Sequence, residues 1–358
     1  RLDYSTGAEA FLLEPQSTNL ITYSEDFSDA SWVKVNSSVV SGFASPSGNT
    51  NAYKLIASVS NTDHRTRTAP IATSAIGTTV TFSIYIKPQE ITKIALVDNW
   101  TNLSYGVVNL TTNSVIEEAQ GTTSVTEILN GFRRVSFTYQ TANINTLPAV
   151  YLLDDGYTSG NPTSYTFASD GTSGVYIWGA QLEQQSYATS YIPTSGASNT
   201  RNRDIATGSG NSTLINSTEG VLYVEIAALA DDLTNREITI SDGTPSQNYV
   251  MIRFNSGNSN WIYTRVNLGG DYEYFNIDTN RIITDFNKIA IRYKDNNFAT
   301  FVNGVKIDSQ LSGNTFGVGV LNKINFAGGT GAQPFFGNTK GLKYYPKALA
   351  DVQLEDLT

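Results

Sequence analysis

Period-two runs of apolar and β-branched residues, broken by short Asn, Asp and Gly clusters, recur along most of this 358-residue chain and confine it to sheet architecture. Residues 79–87 set Val80, Phe82, Ile84 and Ile86 on one face, the pattern of a half-buried strand. Residues 132–139 and 174–182 read the same way. Between them lie turn clusters such as Asp154-Asp155-Gly156 and Ser169-Asp170-Gly171. Short strands spaced by such turns build sandwiches or barrels, not βαβ units.

The polar residues agree. Charged residues make up 15% of the chain, against roughly 25% in an average soluble protein. Ser, Thr, Asn and Gln carry the polarity instead, and they suit turns and solvated strand faces better than helix interiors. Only residues 348–355 read as a helix. Hydrophobic content of 40% excludes a disordered chain.

The length predicts about two domains. Residues 193–219 are polar and aperiodic, which predicts a break there. A second strand series opens at residues 220–226. Residues 288–293 and 298–302 flank an Asp295-Asn296-Asn297 turn, and Asn303-Gly304 leads into residues 305–307, so a three-strand meander is expected.

Five separated motifs carry a resemblance over roughly residues 12–204. They are residues 18–27 with Trp32, then 85–88, 133–137, 176–183, and Tyr191-Ile192-Pro193-Thr194 followed by Arg201 and Asp204. This part resembles carbohydrate-binding-module-like jelly rolls of phage virion proteins. The second part resembles concanavalin A-like (laminin-G-type) lectin domains, on residues 220–225, on the meander through Asn303-Gly304-Val305, and on the ending 341–349. The resemblances imply an all-β fold of two tandem antiparallel β-sandwiches, jelly roll then concanavalin A-like. The expected boundaries are a lead-in at 1–11, a jelly roll at 12–204, a linker at 205–219 and the lectin-like domain at 220–358. Arg1 opens the chain without a methionine, which reads as part of a longer polypeptide.

Several function classes are excluded. A formal net charge of −9 argues against nucleic acid and against anionic membrane surfaces as partners. No stretch approaches the roughly 18 apolar residues of a membrane span. The chain has no cysteine and one histidine, so thiolate and His-cluster metal centres are out. His64 sits in a polar stretch, 61–65, and is expected in an exposed loop.

Glycosidases need paired carboxylates, and enzymes on a concanavalin-like sheet carry a Glu-x-Asp-x-x-Glu run that is missing here. Spacing places Asp271 and Glu273 on one face and Asp278 on the other, so they read as solvated acids. The second half holds no histidine for lyase chemistry. Gly328-Gly329-Thr330-Gly331 lacks the Lys and helix of a phosphate loop and reads as a turn. Jelly-roll modules often hold a structural Ca²⁺, and acids Asp63, Asp154, Asp155 and Asp170 lie in turns, but residues 177–180 carry no acid. No catalytic residue, metal or cofactor is therefore expected.

Aromatics in polar surroundings remain, since sugar rings stack on Trp and Tyr faces while their hydroxyls need polar partners. The candidate carbohydrate-binding residues are Trp100, Tyr105 and Tyr157 in the first domain, and Trp261, Tyr263 and Tyr272 in the second. Trp32 and Trp178, set in strand motifs, read as packing residues. The leading expectation is a non-enzymatic virion protein of a tailed phage, a tail or head fibre or decoration protein on the virion surface. Its implied partners are host cell-surface polysaccharide, other virion proteins and further copies of itself, with a trimer favoured. The alternatives are a secreted bacterial adhesin or accessory carbohydrate-binding module of a polysaccharide-degrading enzyme, and a purely structural assembly domain.

Overall fold

The computed structural model describes residues 2–3, 10–244, 247–255 and 257–358. It is all-β and antiparallel, in two units, each a pair of large sheets. Gln16–Asn202 forms one unit. The described residues up to Pro15 join Arg203–Thr358 in the other.

In the Gln16–Asn202 unit, one six-stranded sheet runs in the order Ser114–Ala119, Tyr105–Asn109, Lys93–Asp98, Pro148–Leu153, His64–Thr68 and Trp32–Val35. The other runs Gly121–Glu127, Arg133–Gln140, Thr79–Pro88, Gly174–Glu183, Ala52–Ala57 and Ser37–Phe43. Val80, Phe82, Ile84 and Ile86 all point into the core between them, with Ile94, Leu96, Val150 and Leu152 opposite. Trp32 belongs to that core. Trp178 is buried too, but on the outward face of its sheet, under Tyr85 and Tyr191 at ring distances of 5.2 and 4.7 Å.

His64 corrects an expectation. It opens a strand and is wholly buried. Its Nδ1 lies 2.7 Å from the Asn36 carbonyl oxygen and its Nε2 lies 2.9 Å from that of Phe167. The Phe167 ring packs edge-on against it. The imidazole thus ties two loops to a strand. His64→Ala is expected to destabilise this unit by about 2 kcal/mol, because the imidazole N–H bond to a loop carbonyl and the packing against Phe167 are lost and a small void opens. Urea unfolding measures it; a loss under about 0.5 kcal/mol would contradict the tie.

The other unit pairs a seven-stranded sheet with a five-stranded one. The first runs Leu2–Asp3, Ala10–Leu13, Gly337–Tyr345, Glu219–Ala228, Asn287–Lys294, Phe298–Val302 and Val305–Gln310. Its last three strands are the expected meander. The second runs Asp271–Asp278, Ile262–Leu268, Tyr249–Phe254, Arg236–Ser241 and Lys323–Asn325. The core between them includes Leu222, Val224, Ile238, Ile240, Val250, Ile252, Val266 and Ile289. A short helix, Asp351–Leu357, seats Leu354 on the outward face of the larger sheet. Asp351 is anchored by Arg292 Nη1 at 2.6 Å and Lys306 Nζ at 2.7 Å.

The domain boundaries differ from those expected. Residues 1 and 4–9 of the expected lead-in lie outside the described residues. Phe11, Leu12 and Leu13 pair with Thr339, Asn338 and Gly337 and so complete the larger sheet of the second unit. The first unit is therefore inserted into the second. Nor are residues 205–219 a free linker. Ile215 and Ser217 are buried, Ser209 bridges Ile324, and Asn216 accepts from Tyr293 and Tyr344 hydroxyls through its carbonyl. Local polarity suggested a linker, but those polar groups cap strand ends of the second unit.

Candidate carbohydrate-binding face

Antiparallel register puts directly opposed residues on one face of a sheet. In the five-stranded sheet, Ile238, Ile252 and Thr264 face the core, as do Ile240, Val250, Val266 and Tyr274. The alternate residues then form three outward rows. Glu237, Arg253, Tyr263 and Ile277 make the first. Thr239, Met251, Arg265 and Phe275 make the second, and Ser241, Tyr249, Asn267 and Tyr272 the third.

Three of the aromatics expected from sequence meet here. Trp261 and Tyr263 lie 5.7 Å apart, and Tyr263, only 7% exposed, lies 5.7 Å from Phe275, so that it supports the strip by packing and does not offer a free ring face. Tyr272, 62% exposed, stacks beside Phe275 at 6.2 Å. The Arg265 guanidinium lies over both Tyr272 and Phe275, at 4.0 and 5.2 Å from their centroids. Stacking of this kind holds a long cation flat and keeps its remaining N–H edge directed. Arg265 Nη1 donates to the Tyr249 hydroxyl at 3.1 Å, while its buried Nε has no partner.

Beside this strip opens a cavity of about 250 Å³, lined by Glu237, Thr239, Tyr249, Met251 and Arg253 and walled by residues 328–333. Arg253 Nε donates to Glu237 Oε1 at 2.7 Å, and its Nη2 reaches the same oxygen. Burial pushes the Glu237 carboxyl above its ordinary range, and Arg253 pulls it back. The wall fits closely because Gly328 lacks a side chain: a Cβ there would lie 2.8 Å from Glu237 Oε2. The glycine run 328–331 is thus the turn expected of it, with Gly331 N bonded to the Gly328 carbonyl.

Arg253, Arg265, Glu237 and Tyr249 were not singled out in the sequence. The available signal was Arg253 in alternation with Val250, Ile252 and Phe254, a charge on the solvent parity of a strand.

The first-unit candidates do not form a comparable face. Tyr105 and Tyr157 are 8% and 1% exposed. They pack with Ala95, Val97, Tyr151 and Leu153 on the outward side of a sheet that residues 154–165 fold over. Both hydroxyls donate to Glu117, each at 3.2 Å, and Tyr157 also reaches the Gly160 carbonyl at 2.5 Å. Burial and the neighbouring Glu117 raise both phenols above their usual range. Neither ring offers a face to a sugar, which corrects their assignment. Trp100 is 39% exposed on a turn closed by Asp98, which accepts from Trp100 N at 3.2 Å.

The expected acids are separated. Asp271 is exposed, Glu273 accepts from Asn314 N at 2.9 Å, and buried Asp278 pairs with Arg281 at 2.9 Å. Among the described residues no group of three or more His, Cys, Asp and Glu side chains could hold a metal ion. Among them, no helix is long and apolar enough to cross a membrane.

No protein-family model and no curated protein matches this sequence. Similar solved structures include the CBM40 module of a Ruminococcus gnavus IT-sialidase bound to α2,3-sialyllactose. It shares 18% identity over 43% of this chain and 95% of that one, with a TM-score of 0.36. A leech intramolecular trans-sialidase shares 18% over 43% and 26% of the two chains, at 0.36. The heptameric SAP-like pentraxin of Limulus polyphemus shares 8% over 42% and 72%, at 0.33.

Proposed function

We propose that this chain is a non-enzymatic glycan-binding protein acting outside the cell, and that its binding face is the outward face of the five-stranded sheet. One observation carries this reading: an Arg-clamped aromatic strip borders a cavity whose floor holds a largely buried Arg253–Glu237 pair. Apolar ring faces beside directed polar groups are what a sugar needs. Two guanidiniums against one carboxylate leave the face positive on a chain of net charge −9, which favours an acidic sugar. Binding of one sugar unit on so shallow a face is weak, and repeated copies would multiply it.

The carrier we favour is an accessory carbohydrate-binding module of a polysaccharide-acting enzyme, or an adhesin. The tailed-phage reading has only the sequence motifs behind it, and the proposal does not include a virion role.

The test is titration of the chain with α2,3-sialyllactose and with lactose, followed by heat or by NMR. Sialyllactose is expected to bind, and lactose at least about tenfold more weakly, the difference one charge-assisted contact makes. Arg265→Ala and Tyr272→Ala should each weaken sialyllactose binding by about tenfold, and Trp100→Ala should leave it unchanged. Binding indifferent to Arg265 and Tyr272 would remove this face from the proposal.

A further inference from the structure

In the Gln16–Asn202 unit, four backbone carbonyl oxygens of one loop converge on the Lys34 ammonium. Trp32 O lies 2.7 Å from Nζ, Phe27 O 3.0 Å, Asp29 O 3.2 Å and Ser28 O 3.3 Å. An ammonium has three protons, so four acceptors saturate it. The loop itself is drawn tight around this point. Asp26 Oδ1 accepts from Ser28 N at 3.0 Å and from the Tyr53 hydroxyl at 2.8 Å. Asp29 Oδ1 accepts from Ser31 N at 2.8 Å, and Trp32 N closes back on the Asp29 carbonyl at 3.1 Å.

Carbonyls are expensive to leave facing one another without a positive charge or donors between them. A ring of carbonyl oxygens with carboxylates close by is the donor set of a hard cation. Here a side chain supplies the charge. Burial lowers the ammonium's proton affinity, and the Asp29 and Asp26 carboxylates oppose that. No metal is needed while Lys34 fills the ring.

We propose that residues 26–34 form a cation site whose occupant is the tethered ammonium of Lys34, and that the emptied ring takes up Ca²⁺. The loop oxygens lie at 2.7–3.3 Å from Nζ, against about 2.3–2.6 Å for Ca²⁺–oxygen contacts. The ring therefore closes by roughly half an ångström around the ion, with water and the Asp26 or Asp29 carboxylate completing the shell. This placement also explains how a loop so rich in inward carbonyls holds its shape without a bound ion.

The experiment is thermal unfolding of the whole chain and of Lys34→Ala, first in chelator and then with Ca²⁺. In chelator the variant should melt about 5 °C lower in the transition of this unit. Adding about 5 mM Ca²⁺, above the millimolar range of weak calcium sites, should restore more than half of that shift. The parent chain should not respond. Terbium luminescence excited through Trp32, whose carbonyl lines the ring, should appear in the variant alone and be displaced by Ca²⁺. Should Lys34→Ala fail to fold in chelator, refolding on addition of Ca²⁺ supports the site and continued failure overturns it. An unshifted melting temperature, or a shift that Ca²⁺ leaves in place, also overturns it.

Discussion

Tyr157→Ala is expected to destabilise the Gln16–Asn202 unit by about 3–5 kcal/mol, the range of large aromatic truncations in cores. The ring is 1% exposed and stands edge-on to Tyr165 at 5.2 Å. Its removal opens a void beneath residues 154–165. It also leaves Glu117 and the Gly160 carbonyl without the phenol proton they share. Trp100→Ala should change stability by less than about 0.5 kcal/mol, as exposed substitutions do. Calorimetry of the two variants separates the cases. Similar small losses in both would mean that the loop over Tyr157 opens readily in solution and that the ring is available after all.

Arg253→Ala should cost the other unit about 3–5 kcal/mol at neutral pH, because it leaves the Glu237 carboxylate buried without its cation. Glu237 is 6% exposed. The deficit should depend on pH. Burial already raises the Glu237 carboxyl above the ordinary value near 4.5, and Arg253 is the chief opposing influence. Without it the folded carboxyl holds its proton to still higher pH, while the unfolded one releases it near 4.5. Stability of the variant is then greatest below the unfolded value and is lost as pH climbs through the folded one. Urea unfolding at pH 7 and near pH 4.5 should show the deficit shrinking in acid. A deficit equal at both would mean that the loss is one of packing alone. Glu237→Gln combined with Arg253→Met should recover much of the stability, and it should still fail to bind sugar.

Strand parity was legible because it is local. Val80, Phe82, Ile84 and Ile86 needed only their own neighbours to be placed in a core. Parity alone would turn Tyr272 inward with Tyr274; the register shift at Val266–Asn267 brings it to the face of Tyr263, with Trp261 beside them. The Arg253–Glu237 pair was not legible, since a register across 16 positions joins it. Tyr105 and Tyr157 sit in polar stretches that look solvated. Only the fold-back of residues 154–165 buries them. His64 had no local sign of burial either, because its two carbonyl partners come from Asn36 and Phe167. Residues 205–219 misled for the same reason.

The strand Ala10–Leu13 meets the partner that ties it into its sheet only at Gly337–Thr339, roughly 320 residues later. At ribosomal speeds of 5–20 residues per second, that is a wait of about 15–65 s. During it the inserted unit can emerge and fold completely, since its own end strands, Ser17–Asn19 and Asn199–Arg201, pair with each other. The apolar run Ala10-Phe11-Leu12-Leu13 meanwhile lacks the Gly337–Thr339 edge that joins it to its sheet. The order of synthesis thus makes the seven-stranded sheet close later than both sheets of the inserted unit, and leaves it longer exposed to chaperones or to a neighbouring nascent chain.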